Sequence, residues 1–305
     1  MDSEAPDVSG YGHRDYAQSL AEFGTPVALP RCGGWFLRGA VPGTTEHDGV
    51  GCYPLFACRD WAGLREDLAA LGDSLLAFAL VTDPFGHYSE EYLRDCFDLV
   101  KPFKSHCVTD LSLTPRDFLP RSHVRNVASA TKAVVVEQCH HPEAWLDPWV
   151  ELYAALAAER QLTGQRAFSR SAFARQLAVP GLVMFRATER DALVGLHLWF
   201  EQGEVAYGHL GATTPRGREL MASYALYAHA IEFFTPRVRW LDLGAGAGLT
   251  ERPDGLWRFK RGWATGTRPA YLCGRIFSQT RYAAVVKARG GPATDYFPAY
   301  RVGEH

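Results

Sequence analysis

The chain has 305 residues, 47% hydrophobic and 22% charged, a balance that excludes a mainly disordered chain and a length that suits two domains or one large one. The formal charge of −2 excludes a uniformly basic nucleic-acid binder, but the charge is uneven: from Glu251 to His305 ten Lys/Arg face four Asp/Glu, a local +6 that leaves −8 on the first 250 residues. That asymmetry points to an anionic ligand near the C-terminal part.

Residues up to about Gly51 are rich in turn formers. Trp61, Leu64, Leu68 and Leu71 then recur on one helical face, with Asp60 as a cap. Ser74–Thr82 reads as a buried strand stopped by Asp83-Pro84, Ser89–Lys101 as a helix, and Thr109–Leu113 as a short strand. From Pro120 a basic segment, Arg121–Val127, leads into a strand at Ala133–Val136, and a domain boundary is set here. Trp145–Leu162 is the strongest helix, with Trp149, Leu152, Tyr153 and Leu156 as its stripe; Ser169–Leu177 is a shorter one. Strands at Gly181–Ala187, Ala192–Phe200 and Glu204–Gly211 are joined by tight polar turns. A helix at Gly217–Phe234, a strand at Arg239–Leu243 and a strand at Tyr271–Phe277 complete an α+β order, antiparallel hairpins feeding one parallel crossover.

The acidic start, Met1–Asp7, has no basic or apolar stretch of a signal peptide, and the longest strongly apolar run, Leu75–Val81, is too short to cross a bilayer. A soluble, cytoplasmic protein without membrane insertion is expected. Seven cysteines form no Cys-x-x-Cys pair, and Cys139-His140-His141 lacks a second ligand pair, so neither a disulfide framework nor a metal site is expected.

Asp242-Leu243-Gly244-Ala245-Gly246-Ala247-Gly248 after a strand has the look of an S-adenosylmethionine methyltransferase motif. That fold needs a helix directly after the loop, and Leu249–Gly255 instead carries turn chemistry with a helix-breaking proline. The residues after Gly248 are also too few for the parallel strands still required. The methyltransferase remains a minor alternative.

The run Trp240-Leu241-Asp242-Leu243-Gly244, followed by Gly255-Leu256-Trp257-Arg258-Phe259-Lys260-Arg261-Gly262-Trp263, resembles the C-terminal signature of the Fem-type aminoacyltransferases, a group within the GNAT acetyltransferase superfamily. Gln165–Ser171 after a long helix, the meander ending Ala206–Ala212, and Val81-Thr82-Asp83-Pro84 fit the same group in the same order. The resemblance implies two GNAT-like domains in tandem, with mixed sheets flanked by helices: 1–120, on which 281–305 can pack back, and 121–280. It implies amide formation by transfer of an aminoacyl group from the 3′ end of aminoacyl-tRNA to an amine, a peptidoglycan precursor or a biosynthetic intermediate, with no separate cofactor. The long helical arm of some members is absent. Of the two glycines that usually hold CoA pyrophosphate, Thr214-Pro215-Arg216-Gly217-Arg218-Glu219 supplies one, and Glu219 adds negative charge in the first helical turn. An acyl-CoA N-acyltransferase is therefore the alternative, and a non-catalytic binding protein a third.

In this reading the enzyme orients two partners, accepts a proton from the amine and stabilises an oxyanion. Lys260, matching the family's Phe-Lys pair, is the catalytic candidate, aimed at the oxyanion or a terminal phosphate. Asp83, at a strand end, takes the proton or caps its Asp-Pro turn. Arg166, Arg170, Tyr207 and His209 are candidates for the acceptor pocket, the arginines suiting phosphate or carboxylate. Arg258 and Arg261, interleaved with Phe259 and Trp263, suit a nucleic-acid end whose phosphates meet cations and whose bases stack on aromatics.

Overall fold

The computed structural model describes residues 8–164, 167–246, 255–291 and 294–303. In chain order these form α1 (Arg14–Ser19), β1 (Thr25–Leu29), β2 (Gly34–Ala40), β3 (His47–Gly51), α2 (Leu64–Leu71), β4 (Ala77–Val81), α3 (Glu90–Cys96) and β5 (Leu99–Asp110). Then come α4 (Pro115–Phe118), α5 (Arg121–Ala130), β6 (Val135–Gln138), α6 (Leu146–Arg160), α7 (Arg170–Gln176), β7 (Leu182–Glu189), β8 (Ala192–Gln202) and β9 (Val205–Thr213). The last elements are α8 (Pro215–Glu219), α9 (Ala222–Phe234), β10 (Trp240–Asp242), α10 (Gly255–Arg261), β11 (Gly266–Ile276) and α11 (Gln279–Ala288). Two compact units result: Met1–Phe103 with Thr163–Phe168 and Pro269–His305, and Lys104–Leu162 with Ser169–Arg268. The divisions fall inside β5 and β11, whereas the sequence reading set its boundary at 120/121.

The first unit is built on an antiparallel β1-β2-β3 meander, with β3 parallel to β4 and β4 antiparallel to β11. The turn-rich reading of its first fifty residues is thus corrected. A Cβ on Gly34 would lie 2.6 Å from the Phe56 ring, one on Gly49 2.7 Å from Phe78, and one on Gly51 2.8 Å from Leu80. These glycines let core side chains lie flat against strand backbone. The helix expected over Ser89–Lys101 stops at Cys96: Ser89 caps it by accepting the Tyr92 N–H, and β5 has begun by Leu99.

In the second unit the strand order is β5-β10-β9-β8-β7-β6. The pairs are antiparallel except for β9 and β10, which are parallel. A doubly wound parallel sheet is absent among the described residues, which removes the methyltransferase reading. The β7–β8 turn places Arg190 and Asp191 at φ 47 and 69, left-handed values that match the twist of the hairpin. Against the sheet α9 buries Ala225, Leu226, Ala230, Ile231 and Phe234, joined by Phe185, Trp199, Leu241 and Trp263. The single helix expected over 217–234 is two, divided at Met221, whose φ is 57. The basic segment Arg121–Val127 is itself helical, within α5, and the Phe-Lys segment lies on α10, for which the sequence reading named no helix.

Two irregularities shape this unit's working end. The register of β8 with β9 steps from Leu198↔Leu210 to Trp199↔Gly208, which leaves His209 as the extra residue of a bulge. β10 pairs with β9 only as far as Asp242↔Tyr207, while β9 runs on to Thr213.

Candidate active site

Lys260 projects from α10 toward the turn that ends β10. Its Nζ donates to the Ala245 carbonyl at 2.9 Å. Gly244 makes room for it, because a Cβ there would sit 3.1 Å from that Nζ, and its φ of +73 suits glycine alone. Lys104 on β5 donates to the next carbonyl, Gly246 O, at 3.3 Å. Two ammonium groups therefore hold the carbonyls of one short glycine turn. Phe259 is half-buried between Tyr224 and Tyr227, with ring centroids 5.0 and 4.9 Å away. The His123 Nε2 lies 3.2 Å from the Phe259 carbonyl. A Cβ on Gly262 would come within 2.1 Å of the His123 ring, so the glycine of the Phe-Lys-x-Gly run admits the imidazole that anchors α10 to α5.

At the end of β10, Asp242 is 2% exposed. Its Oδ1 accepts the Gly244 N–H at 2.7 Å, and its two oxygens lie 3.0 and 2.9 Å from Nδ1 of His106. His106 stands on β5, on the same face as Lys104 by strand alternation. The ladder continues past β10 through Cys107 N–H to Gly244 O and Leu243 N–H to Cys107 O, which sets His106 beside the turn. Deeper in the unit, His197 is packed against Trp199 and Tyr227; burial pushes its pKa down to about 3, with the charge of Lys260 adding to the effect. Burial also raises the Cys107 thiol, against the opposing pull of Lys260 and Arg261.

The other sequence-derived residues are placed as follows. Asp83, in the first unit, is 4% exposed, and its Oδ1 accepts the Phe85 N–H at 2.9 Å, the geometry of a turn cap. Arg166 lies outside the described residues. Arg170 opens α7 and makes a forked contact with Asp147 at 2.9 and 2.7 Å. Tyr207 is buried on β9 beside the bulge. His209 lies 3.2 Å from the Oε1 of fully buried Gln176, and burial lowers its pKa to about 3. Arg258 and Arg261 are exposed on α10, and Trp263 is fully buried, part of the core rather than of a surface.

Sequence reasoning missed His106 altogether and quoted Asp242 without giving it chemistry. An isolated histidine in a strand carries no spacing signal. The carboxylate two residues before a glycine turn was the available clue.

The start of α8 is fixed by close packing on β8 and by ion pairs with neighbouring carboxylates. A Cβ on Gly217 would lie 2.1 Å from the Val194 carbonyl, so this glycine serves close packing on β8. Thr214 Oγ1 accepts the Gly217 N–H at 2.9 Å. Arg216 is taken up by Glu189 at 2.9 and 2.7 Å and by Glu219 at 2.9 Å; Arg218 pairs with Glu159 at 3.2 Å. Among the described residues no group of three or more His, Cys, Asp or Glu is placed to hold a metal, and no helix is long and apolar enough to cross a membrane.

Residues 121–261 match the family described as an acetyltransferase (GNAT) domain. No curated protein matches the chain significantly in sequence. Among solved structures, FemX superposes with a TM-score of 0.67 at 14% identity, over 92% of this chain and 95% of that one. A domain assigned to a lysylphosphatidylglycerol synthetase from Agrobacterium fabrum gives 0.65 at 11%, over 92% and 90%. L-PGS from Bacillus licheniformis gives 0.57 at 13%, over 94% and 98%. At such identities the likeness is one of fold. The expected α+β fold of tandem GNAT type holds, and with it the resemblance to the Fem-type group; the matched domain is of acyltransferase type.

Proposed function

We propose that this chain, in which a GNAT acetyltransferase domain occupies residues 121–261 and the whole has the fold of FemX, forms an amide by moving an aminoacyl group from the 3′ end of aminoacyl-tRNA to an amine acceptor. The acceptor is a peptidoglycan precursor or a biosynthetic intermediate carrying a free amine, and a donor of this kind places the reaction in the cytoplasm. The observation that carries the reading is the position of Lys260: its ammonium is fixed at the Ala245 carbonyl, at the end of the strand bearing Asp242 and beside exposed Arg258 and Arg261.

The amine nitrogen attacks the ester carbonyl of the donor, and the developing oxyanion is met by the Lys260 ammonium, already oriented by its hydrogen bond. Collapse of the tetrahedral species expels the ribose oxygen and leaves the amide. Arg258 and Arg261 suit the phosphates of a nucleic-acid end, a local requirement that a net charge of −2 does not oppose. The name of the Agrobacterium fabrum neighbour's parent enzyme, a synthetase of a lysylated lipid, agrees with aminoacyl chemistry on this fold. Against an acyl-CoA donor stand Gly217, spent on packing, and Arg216 and Arg218, spent on carboxylates. The test is transfer from tRNA charged with radiolabelled amino acids to a panel of amines, with Lys260→Met as the control. Product made by the wild type and lost in the variant supports the reading; equal product from both overturns it.

A further inference from the structure

We propose that His106, oriented by Asp242, carries the proton of this transfer; the inference rests on the amide-forming reaction read above. A carboxylate only accepts hydrogen bonds, so the contact at 2.9 and 3.0 Å fixes the proton of the imidazole on Nδ1. The lone pair is thereby left on Nε2. Asp242 is itself locked, 2% exposed and holding the Gly244 N–H at 2.7 Å, so it cannot swing away from the ring. Both contacts of the ring with Asp242 fall on Nδ1, which leaves Nε2 out of that pairing, and the His106 side chain keeps 12% of its surface open. His197, by contrast, is 5% exposed and sealed between Trp199 and Tyr227, and His123 spends its Nε2 on Phe259. Within this unit His106 is the imidazole that joins a buried orienting carboxylate to an open lone pair.

Its position suits the chemistry. The turn that follows Asp242 holds the Lys260 ammonium at Ala245 and the Lys104 ammonium at Gly246. Base and cation thus lie beside one glycine turn, the base where a proton is released and the cation where negative charge develops. The step balances without a co-reactant. As the new C–N bond forms, Nε2 takes a proton from the attacking amine. As the ester C–O bond breaks, the same proton passes to the departing ribose oxygen, and the imidazole returns to its starting form. Asp242 is a positioning residue: it selects the tautomer and stabilises the transient imidazolium.

Two measurements on the full chain test this, one of them independent of the reaction. Nitrogen-15 spectra of histidine-labelled protein are expected to show the neutral His106 ring carrying its proton on Nδ1, and Asp242→Asn is expected to relax that preference. Diethyl pyrocarbonate is expected to modify Nε2 of His106 before His197. A ring protonated on Nε2, or one refractory to the reagent, overturns the assignment whatever the reaction proves to be. The second measurement follows hydroxamate made from radiolabelled aminoacyl-tRNA and hydroxylamine, counted only above the spontaneous reaction of the two without protein. His106→Ala and His106→Gln, the latter still able to donate to Asp242, are expected to lower kcat by about 100-fold or more with KM within about threefold, and added imidazole to restore part of the activity of His106→Ala. Loss without rescue in a folded variant, or kcat within about threefold of wild type, overturns the catalytic role. Wild-type protein that makes no hydroxamate overturns the parent reading and the catalytic role with it, a result distinguished by a tautomer and accessibility that remain as described.

Discussion

Gly217→Ala separates packing from phosphate binding at the start of α8. The added methyl would lie 2.1 Å from the Val194 carbonyl oxygen, where ordinary contact begins near 3.4 Å, so α8 must retreat by about 1 Å. That oxygen also accepts the Thr214 N–H at 3.0 Å, and the retreat stretches this bond. Overpacking costs about 1–3 kcal/mol and the weakened hydrogen bond about 1 kcal/mol, while alanine returns about 1 kcal/mol of helix propensity. The net is a loss of about 1–3 kcal/mol, or a fall in Tm of roughly 2–12 °C for a unit of this size. Gly255→Ala, where no atom of the described residues lies within 4 Å of the added methyl, is the control and is expected within about 0.5 kcal/mol of wild type. Urea and thermal unfolding followed by circular dichroism read both. Gly217→Ala as stable as wild type, or more so, would refute the packing argument and return that glycine to a ligand-binding role.

Lys260→Met is expected to lower kcat for transfer by about 10²–10³-fold while the urea midpoint stays close to wild type, as steady-state kinetics beside unfolding curves will show. Arg216→Ala is expected to leave transfer within about twofold, since its guanidinium is held by Glu189 and Glu219; a loss of about 100-fold would place it on a donor phosphate instead. Acid should destabilise the second unit through His197. Its folded pKa, about 3, lies below the ordinary value of 6.5. The unfolded chain therefore binds more protons between those limits, and stability falls as pH drops from 6.5 toward 3, by up to about 1.4 kcal/mol per pH unit. His197→Phe should flatten that slope in urea midpoints at pH 7, 6 and 5; an unchanged slope would locate the acid sensitivity elsewhere.

The second unit was readable because its elements are long and periodic. The β7, β8 and β9 strands, α6 and α7 lie within two or three residues of the positions that alternation and spacing require. In the first unit α2 and β4 fall where the sequence puts them, but the β1-β2-β3 meander was hidden, because Gly34, Gly49 and Gly51 sit in strands for reasons of contact with distant side chains, and a glycine admitting a side chain looks like a glycine making a turn. The helix α10 was hidden by the proline and glycines before it, so Lys260 was found by motif while its support was not. The proton-carrying pair joins residues 106 and 242, brought together by β5 lying antiparallel to β10. No local pattern encodes such a pairing. Asp83 shows the reverse: a strand-end carboxylate that looks chemical spends an oxygen on the Phe85 N–H.

The central claim is that the acyl donor is a charged tRNA. The most direct measurement is product formation from radiolabelled aminoacyl-tRNA and an amine, with and without ribonuclease, beside a parallel assay for free thiol released from acyl-CoA. The expected result is product that ribonuclease abolishes and no release of thiol. Product that survives ribonuclease while acyl-CoA is consumed and free CoA thiol appears would contradict the account.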